Sequence, residues 1–215
     1  MPADTIILVH GLWMTGIEMS VLKHRLESDH GFHCVQFSYH SVTGAMLDHV
    51  SKLRELAQAQ HCERLHFVGH SLGGVVTYKL LESTADLIPG RAVFLGSPLQ
   101  GSATVSAISN WTLGRIAVGD AVCKELLEGQ PRHWDGRRDI GIVAGSVQMG
   151  FGRLFSEQLT ENSDGTVMIE ETKLDGAADH IVLPVTHTSM VFSPLVTQQI
   201  VNFLRDGKFD HEQVS

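Results

Sequence analysis

The feature that most constrains this chain is a serine set among glycines at the junction of a strand-like run and a helix-like run. The short, largely apolar stretch Arg64–Val68 is followed by Gly69-His70-Ser71-Leu72-Gly73-Gly74 and then by Val75–Leu81. A serine on so tight a strand-to-helix turn is held in strained backbone geometry, with its hydroxyl pushed above the sheet edge. Side chains two positions to either side would collide, so the turn needs Gly69 and Gly73. Gly74 lets the new helix approach neighbouring backbone. The helix N-terminus beneath the serine also favours negative charge that develops there. The pattern points to Ser71 as a nucleophile. The alternative is a glycine-rich turn that happens to contain serine.

Short apolar runs recur along the 215 residues, at Thr5–Val9, His33–Tyr39, Arg64–Val68, Arg91–Leu95, Ile140–Ala144 and His180–Val185. Nearly unbroken runs of this kind are how parallel strands covered on both faces read. Helical patterns lie between them. Met46, Val50, Leu53 and Ala57 share one face. Toward the end of the chain, Ser193 can cap a helix that starts at Pro194, buries Val196, Ile200, Phe203 and Leu204, and stops at Gly207. The alternation predicts an α/β fold: a doubly wound, mainly parallel six-stranded sheet with helices on both faces. The length fits a single domain over residues 1–215. Two connections, 97–139 and 147–163, exceed what a crossover needs and contain several aromatic residues. They read either as pocket walls or a small cap, or as cover for the sheet edge.

A serine hydroxyl alone is a poor nucleophile, so a base is required. Of 13 histidines, His187 follows the last strand-like run and precedes the last helix. That puts it at the carboxyl edge of the sheet, where Ser71 also lies and where open α/β sheets place their sites. His70 adjoins Ser71, but its side chain must leave the turn in another direction, so its expected role is supporting. The base needs a carboxylate to fix its tautomer. Asp164, in the polar turn Asn162-Ser163-Asp164-Gly165, is the first candidate, ahead of Glu170 and Glu171, with Asp175 and Asp179 also on that edge. Backbone N–H groups of Leu72, just after the serine, and Leu12, in the loop Val9-His10-Gly11-Leu12-Trp13, are the candidate oxyanion donors. Trp13, Trp111, Leu113 and Phe155 are candidate pocket walls.

Composition narrows the partners. The net charge is −8 and no basic block occurs, which argues against nucleic acid. Cys34, Cys62 and Cys123 cannot all pair within the chain and read as inert thiols of a reducing compartment. No secretory leader and no apolar stretch of membrane-spanning length is evident, so the expectation is a cytoplasmic protein without a transmembrane segment. His66 and His70 fall on strand and turn with no third ligand, so no metal is expected. No lysine follows the glycines, so this is not a phosphate loop. The oligomeric state is not specified by any motif.

Taken together, Val-His-Gly-Leu at 9–12, Gly-His-Ser-Leu-Gly-Gly at 69–74, Asp164 and His187 resemble, in order, the oxyanion, elbow, acid and base positions of the α/β-hydrolase superfamily. The resemblance covers nearly the whole chain. Leu95-Gly96-Ser97-Pro98-Leu99-Gln100-Gly101-Ser102 and Leu174-Asp175-Gly176-Ala177 are similar to segments of small bacterial lipases and esterases and of the lipase-like domain of GPI-inositol deacylases. The chain opens at the strand leading into His10-Gly11, so the superfamily's first two strands are expected to be absent. The resemblance implies hydrolysis of a carboxylic ester, small or lipid-like, with no cofactor. The same residues would also serve thioester or amide hydrolysis, or acyl transfer. A hydrolase fold kept only for binding would have Ser71 occluded or misaligned.

Overall fold

The computed structural model describes residues 4–102, 105–106, 119, 132–149 and 162–212. Among these residues six strands form one sheet: β1 (Asp4–Val9), β2 (His33–Phe37), β3 (Arg64–His70), β4 (Ala92–Leu95), β5 (Ile140–Gly145) and β6 (Asp179–Leu183). Their order across the sheet is β2-β1-β3-β4-β5-β6, and every neighbouring pair is parallel. All six carboxyl ends therefore open onto one edge. The helices are α1 (Ser20–Ser28), α2 (Met46–Gln58), α3 (Leu72–Ser83), the short α4 (Ile169–Thr172) and α5 (Pro194–Asp206).

Both faces of the sheet are buried, which is why the strands read as continuous apolar runs. On one face Ile7, Phe67, Phe94 and Ile142 pack with Val50 and Leu53 of α2 and Val75 and Val76 of α3. On the other, Ile6, Leu8, Val93, Val143 and Ile181 pack with Leu22 and Leu26 of α1 and Ile200 and Phe203 of α5. Alternate residues of one strand thus serve two cores. The sequence pattern assigns no helix to 20–28. One forms there because Met19, Leu22 and Leu26 seat a narrow stripe on the sheet.

Strand ends follow their partners. β2 stops at Phe37, short of the expected Tyr39, because its partner β1 ends at Val9, which faces Phe37. β6 stops at Leu183, opposite the last residue of β5. β3 runs two residues further than expected, to His70, because its ladder with β4 continues to the His70–Leu95 pair. The last helix matches its sequence signals. The Val196 N–H donates to Ser193 Oγ, Pro194 opens α5, and Gly207 closes it at φ 77°. No helix among the described residues is long and apolar enough to cross a membrane.

His66 and His70 are among the histidines buried without charge. His66 accepts the Arg91 N–H at Nδ1, 3.0 Å away, and burial pulls its pKa down to about 4. Burial also brings His70 down to about 3. In the unfolded chain both protonate near pH ~6.5, so below that pH the unfolded state binds protons that the folded state refuses. Stability is therefore expected to fall steadily as pH drops from about 6.5 toward 4. His66→Asn, which keeps an acceptor for Arg91 but cannot titrate, should show a shallower decline in Tm over that range. An identical slope in the two proteins would refute this assignment.

Candidate active site

Ser71 sits between β3 and α3 with φ 54° and ψ −123°, and is one of two described non-glycine residues at positive φ. Such a conformation costs on the order of 1–3 kcal/mol and persists only where the surroundings enforce it. The enforcement is visible. The Ser71 N–H donates to the Leu95 carbonyl at 2.9 Å, extending the β3–β4 ladder past the strand end, and the Gly74 N–H donates back to the Ser71 carbonyl at 3.0 Å. A Cβ on Gly69 would come within 2.6 Å of Gly74 backbone. A Cβ on Gly73 would reach 2.2 Å from the Val9 carbonyl oxygen, and one on Gly74 would meet Ser97. The three glycines let α3 start directly against β1 and β4. Ser71 itself remains partly exposed.

His187 follows β6, and Asp164 reaches the same edge from the connection after β5. The His187 Nδ1 lies 2.7 Å from Asp164 Oδ2. The other carboxylate oxygen accepts the N–H groups of Thr166 at 2.9 Å and Val167 at 2.7 Å. A carboxylate accepts, so His187 carries its proton on Nδ1 and keeps a lone pair on Nε2. The His187 backbone N–H also donates to the Asp164 carbonyl at 2.9 Å, so Asp164 holds both the ring and the main chain of His187. Room for the aspartate comes from Gly145, the last residue of β5, where a Cβ would meet Asp164 Cβ at 2.7 Å. Gly96, at φ 54° directly after β4, lies against the pair. A Cβ there would fall 2.9 Å from Asp164 Oδ2 and 3.0 Å from His187 Nδ1. The other acidic candidates are engaged elsewhere: Glu170 with Lys173, Glu171 with the Met168 N–H, Asp175 with His133, and Asp179 with the Phe209 N–H.

The loop after β1 lies against Ser71, since a Cβ on Gly11 would come within 2.9 Å of the Ser71 Cβ. The Tyr39 N–H donates to His10 Nε2 at 3.2 Å, so Nδ1 bears the hydrogen and donates to the Gly11 carbonyl at 2.9 Å. Burial lowers the His10 pKa, which favours this neutral form. The Gly11 carbonyl and the Leu12 N–H belong to one trans peptide, so holding the carbonyl toward His10 turns the Leu12 N–H the opposite way. Among the described residues no hydrogen bond occupies the Leu12 N–H. The Leu72 N–H is the first of α3 and lacks a partner within the helix. By contrast, the Trp13 N–H is taken by Ser41 Oγ at 3.0 Å. Trp13 has φ 58° and is 55% exposed. Trp111, Leu113 and Phe155, the other candidate pocket walls, lie outside the described residues, as does Cys123. Cys34 is buried, and burial raises its thiol pKa to about 12.

Sequence reasoning did not single out Tyr39 or Ser41, which fix the loop of Gly11 and Leu12. A tyrosine and a serine just past an edge strand, beside the loop of the neighbouring strand, were the available signal. No cluster of three metal-ligating side chains occurs among the described residues.

The family described as the alpha/beta hydrolase family matches residues 6–191, most of the chain. The chain belongs to the alpha/beta hydrolase family. None of the curated proteins matches it. Solved structures similar to this hydrolase chain include the Bacillus licheniformis lipase BlEst2 in its mature form, with a TM-score of 0.67, 19% identity, and coverage of 95% of this chain and 91% of that one. A metagenomic carboxyl esterase aligns with a TM-score of 0.66 at 15% identity, over 88% of this chain and 66% of its own. A bromoperoxidase from Bacillus anthracis gives 0.64 at 14%, over 95% and 92%. At such identities the likeness is one of fold.

The close approach at Gly73 makes a sharp prediction. Gly73→Ala should destabilise this hydrolase chain by about 1–3 kcal/mol, because its methyl must displace the end of β1. A urea-unfolding midpoint equal to that of the parent would contradict the packing described.

Proposed function

We propose that the chain is a serine hydrolase that cleaves carboxylic esters. The observation that carries this reading is the His187–Asp164 pair, joined at 2.7 Å on the sheet edge where Ser71 stands in a strained turn. In the proposed cycle the Ser71 Oγ attacks the ester carbonyl carbon while His187 Nε2 takes the hydroxyl proton. Negative charge that develops on the carbonyl oxygen is met by the Leu12 and Leu72 N–H groups and by the positive end of α3. As the tetrahedral adduct collapses, the C–O bond to the alcohol breaks and the His187 proton passes to the departing oxygen. Water, deprotonated by His187, then attacks the acyl-enzyme and frees the acid and the Ser71 hydroxyl. Asp164 holds Nδ1–H throughout and stabilises the imidazolium that forms in each half.

Esterase and lipase neighbours of the same fold support an ester substrate, as does the partial exposure of Ser71. Trp13 belongs to the proposed substrate rim. The steps described draw on the chain's own residues and need no cofactor.

A fluorophosphonate probe should label the protein at Ser71, and p-nitrophenyl esters should be hydrolysed. Ser71→Ala should remove labelling and lower turnover by on the order of 10⁴- to 10⁶-fold. Absence of labelling in the folded parent would sink the reading. Asp164→Asn keeps Oδ1 for the Thr166 and Val167 N–H groups but turns an amide toward His187. It should fold normally and lose about 10³- to 10⁴-fold in kcat, because the imidazole is driven into the wrong tautomer. Near-parental activity would exclude Asp164 as the acid.

A further inference from the structure

His70 ends β3 beside Ser71, is 1% exposed, and is not consumed by the chemistry above. Its Nε2 lies 2.9 Å from the carbonyl oxygen of His187. A carbonyl can only accept, so this nitrogen carries the hydrogen. The His70 Nδ1 is then a bare acceptor, and it is buried without a partner in the structure. It faces the backbone of Gly11, where a Cβ would fall 3.1 Å away. The two imidazoles lie close, with ring centres 4.8 Å apart and planes tilted by 44°. A second positive charge at that distance would oppose an imidazolium on His187. Burial, which brings the His70 pKa down to about 3, keeps that charge away.

His187 is thus fixed at three points: the ring by Asp164 Oδ2, the N–H by the Asp164 carbonyl, and the carbonyl by His70. Only the third contact comes from the strand that carries the nucleophile. We infer that His70 is a positioning residue whose Nε2–H, donated to the His187 carbonyl, locks the base loop to the Ser71 turn and sets the distance over which the proton passes. This rests on the serine hydrolase reading and adds a role for a residue that never touches the ester. Leaving the carbonyl unpaired would let the base loop drift. Displacements of about 1 Å in a reacting pair can cost on the order of 100-fold in rate.

The test compares three substitutions at one position, with p-nitrophenyl butyrate as substrate and fluorophosphonate labelling as a second rate. His70→Leu removes the donor. His70→Gln places an amide N–H near the position of Nε2, whereas His70→Asn places one near Nδ1. In folded variants, His70→Leu should lower kcat by about 10- to 100-fold with KM within about twofold, and slow labelling in parallel. His70→Gln should recover kcat to within about fivefold of the parent, and His70→Asn should not. A loss that merely reflected core damage would affect Gln and Asn alike. The inference is overturned if folded His70→Leu keeps the parental kcat, or if Gln and Asn have equal kcat. Should neither Leu nor Asn fold, the Gln variant decides, and a kcat loss above about tenfold there overturns it. A parent that is neither labelled nor active brings down the hydrolase reading and this role together. An active parent with an equally active Leu variant removes only the role of His70.

Discussion

The turn at Ser71 is the constraint on which the rest of the site depends. It holds an L-residue at φ 54° between a buried strand and a buried helix. Neither the serine nor its neighbours would adopt that geometry alone. Packing imposes it from three sides: β4 takes the Ser71 N–H, the end of β1 abuts Gly73, and Gly69 and Gly74 lie nearly in contact. The strain is local, and the contacts that maintain it are spread across the centre of the sheet. That distribution suits a nucleophile which must not relax when substrate arrives.

Around that turn, hydrogen bonds of differing kind divide the work. Asp164 has no free acceptor left pointing at random, because one oxygen closes its own turn on Thr166 and Val167 while the other faces His187. On the opposite flank His10 stays neutral, takes the Tyr39 N–H and gives its own hydrogen to the Gly11 carbonyl. Three histidines at this end of the sheet therefore make different contacts. His10 orients a peptide, His70 reaches the carbonyl of the loop after β6, and His187 pairs with the carboxylate. Burial lowers the pKa of the first two, so the site is not crowded by charge.

Membership of the alpha/beta hydrolase family fixes an architecture shared by proteins named lipase, carboxyl esterase and bromoperoxidase. Chemistry is carried by the site and not by the sheet. For this chain the ester reading gains its weight from the strained serine and the imidazole–carboxylate pair. Trp111, Leu113 and Phe155, which the sequence offers as pocket walls, lie outside the described residues.

By itself the sequence determined the six strands, their succession along the chain and the last helix, but not the helix over Ser20–Ser28. Apolar runs marked the six strands because both faces of each strand are buried, and Ser193, Pro194 and Gly207 marked the ends of α5 because helix caps are local chemistry. The glycine spacing about Ser71 was legible as a motif, though only Gly69 answers to the turn itself, while Gly73 and Gly74 make room for the end of β1 and for Ser97. Strand ends were not legible, since β2 and β6 stop where their partners stop. Asp164 was one of several acids until the fold put its oxygen 2.7 Å from His187 and gave Glu170, Glu171, Asp175 and Asp179 other partners. The contacts of Tyr39 with His10 and of His70 with the His187 carbonyl were settled only in three dimensions. A hydrogen bond between residues 117 positions apart depends on where two loops meet over the sheet, and no short stretch of sequence encodes that meeting.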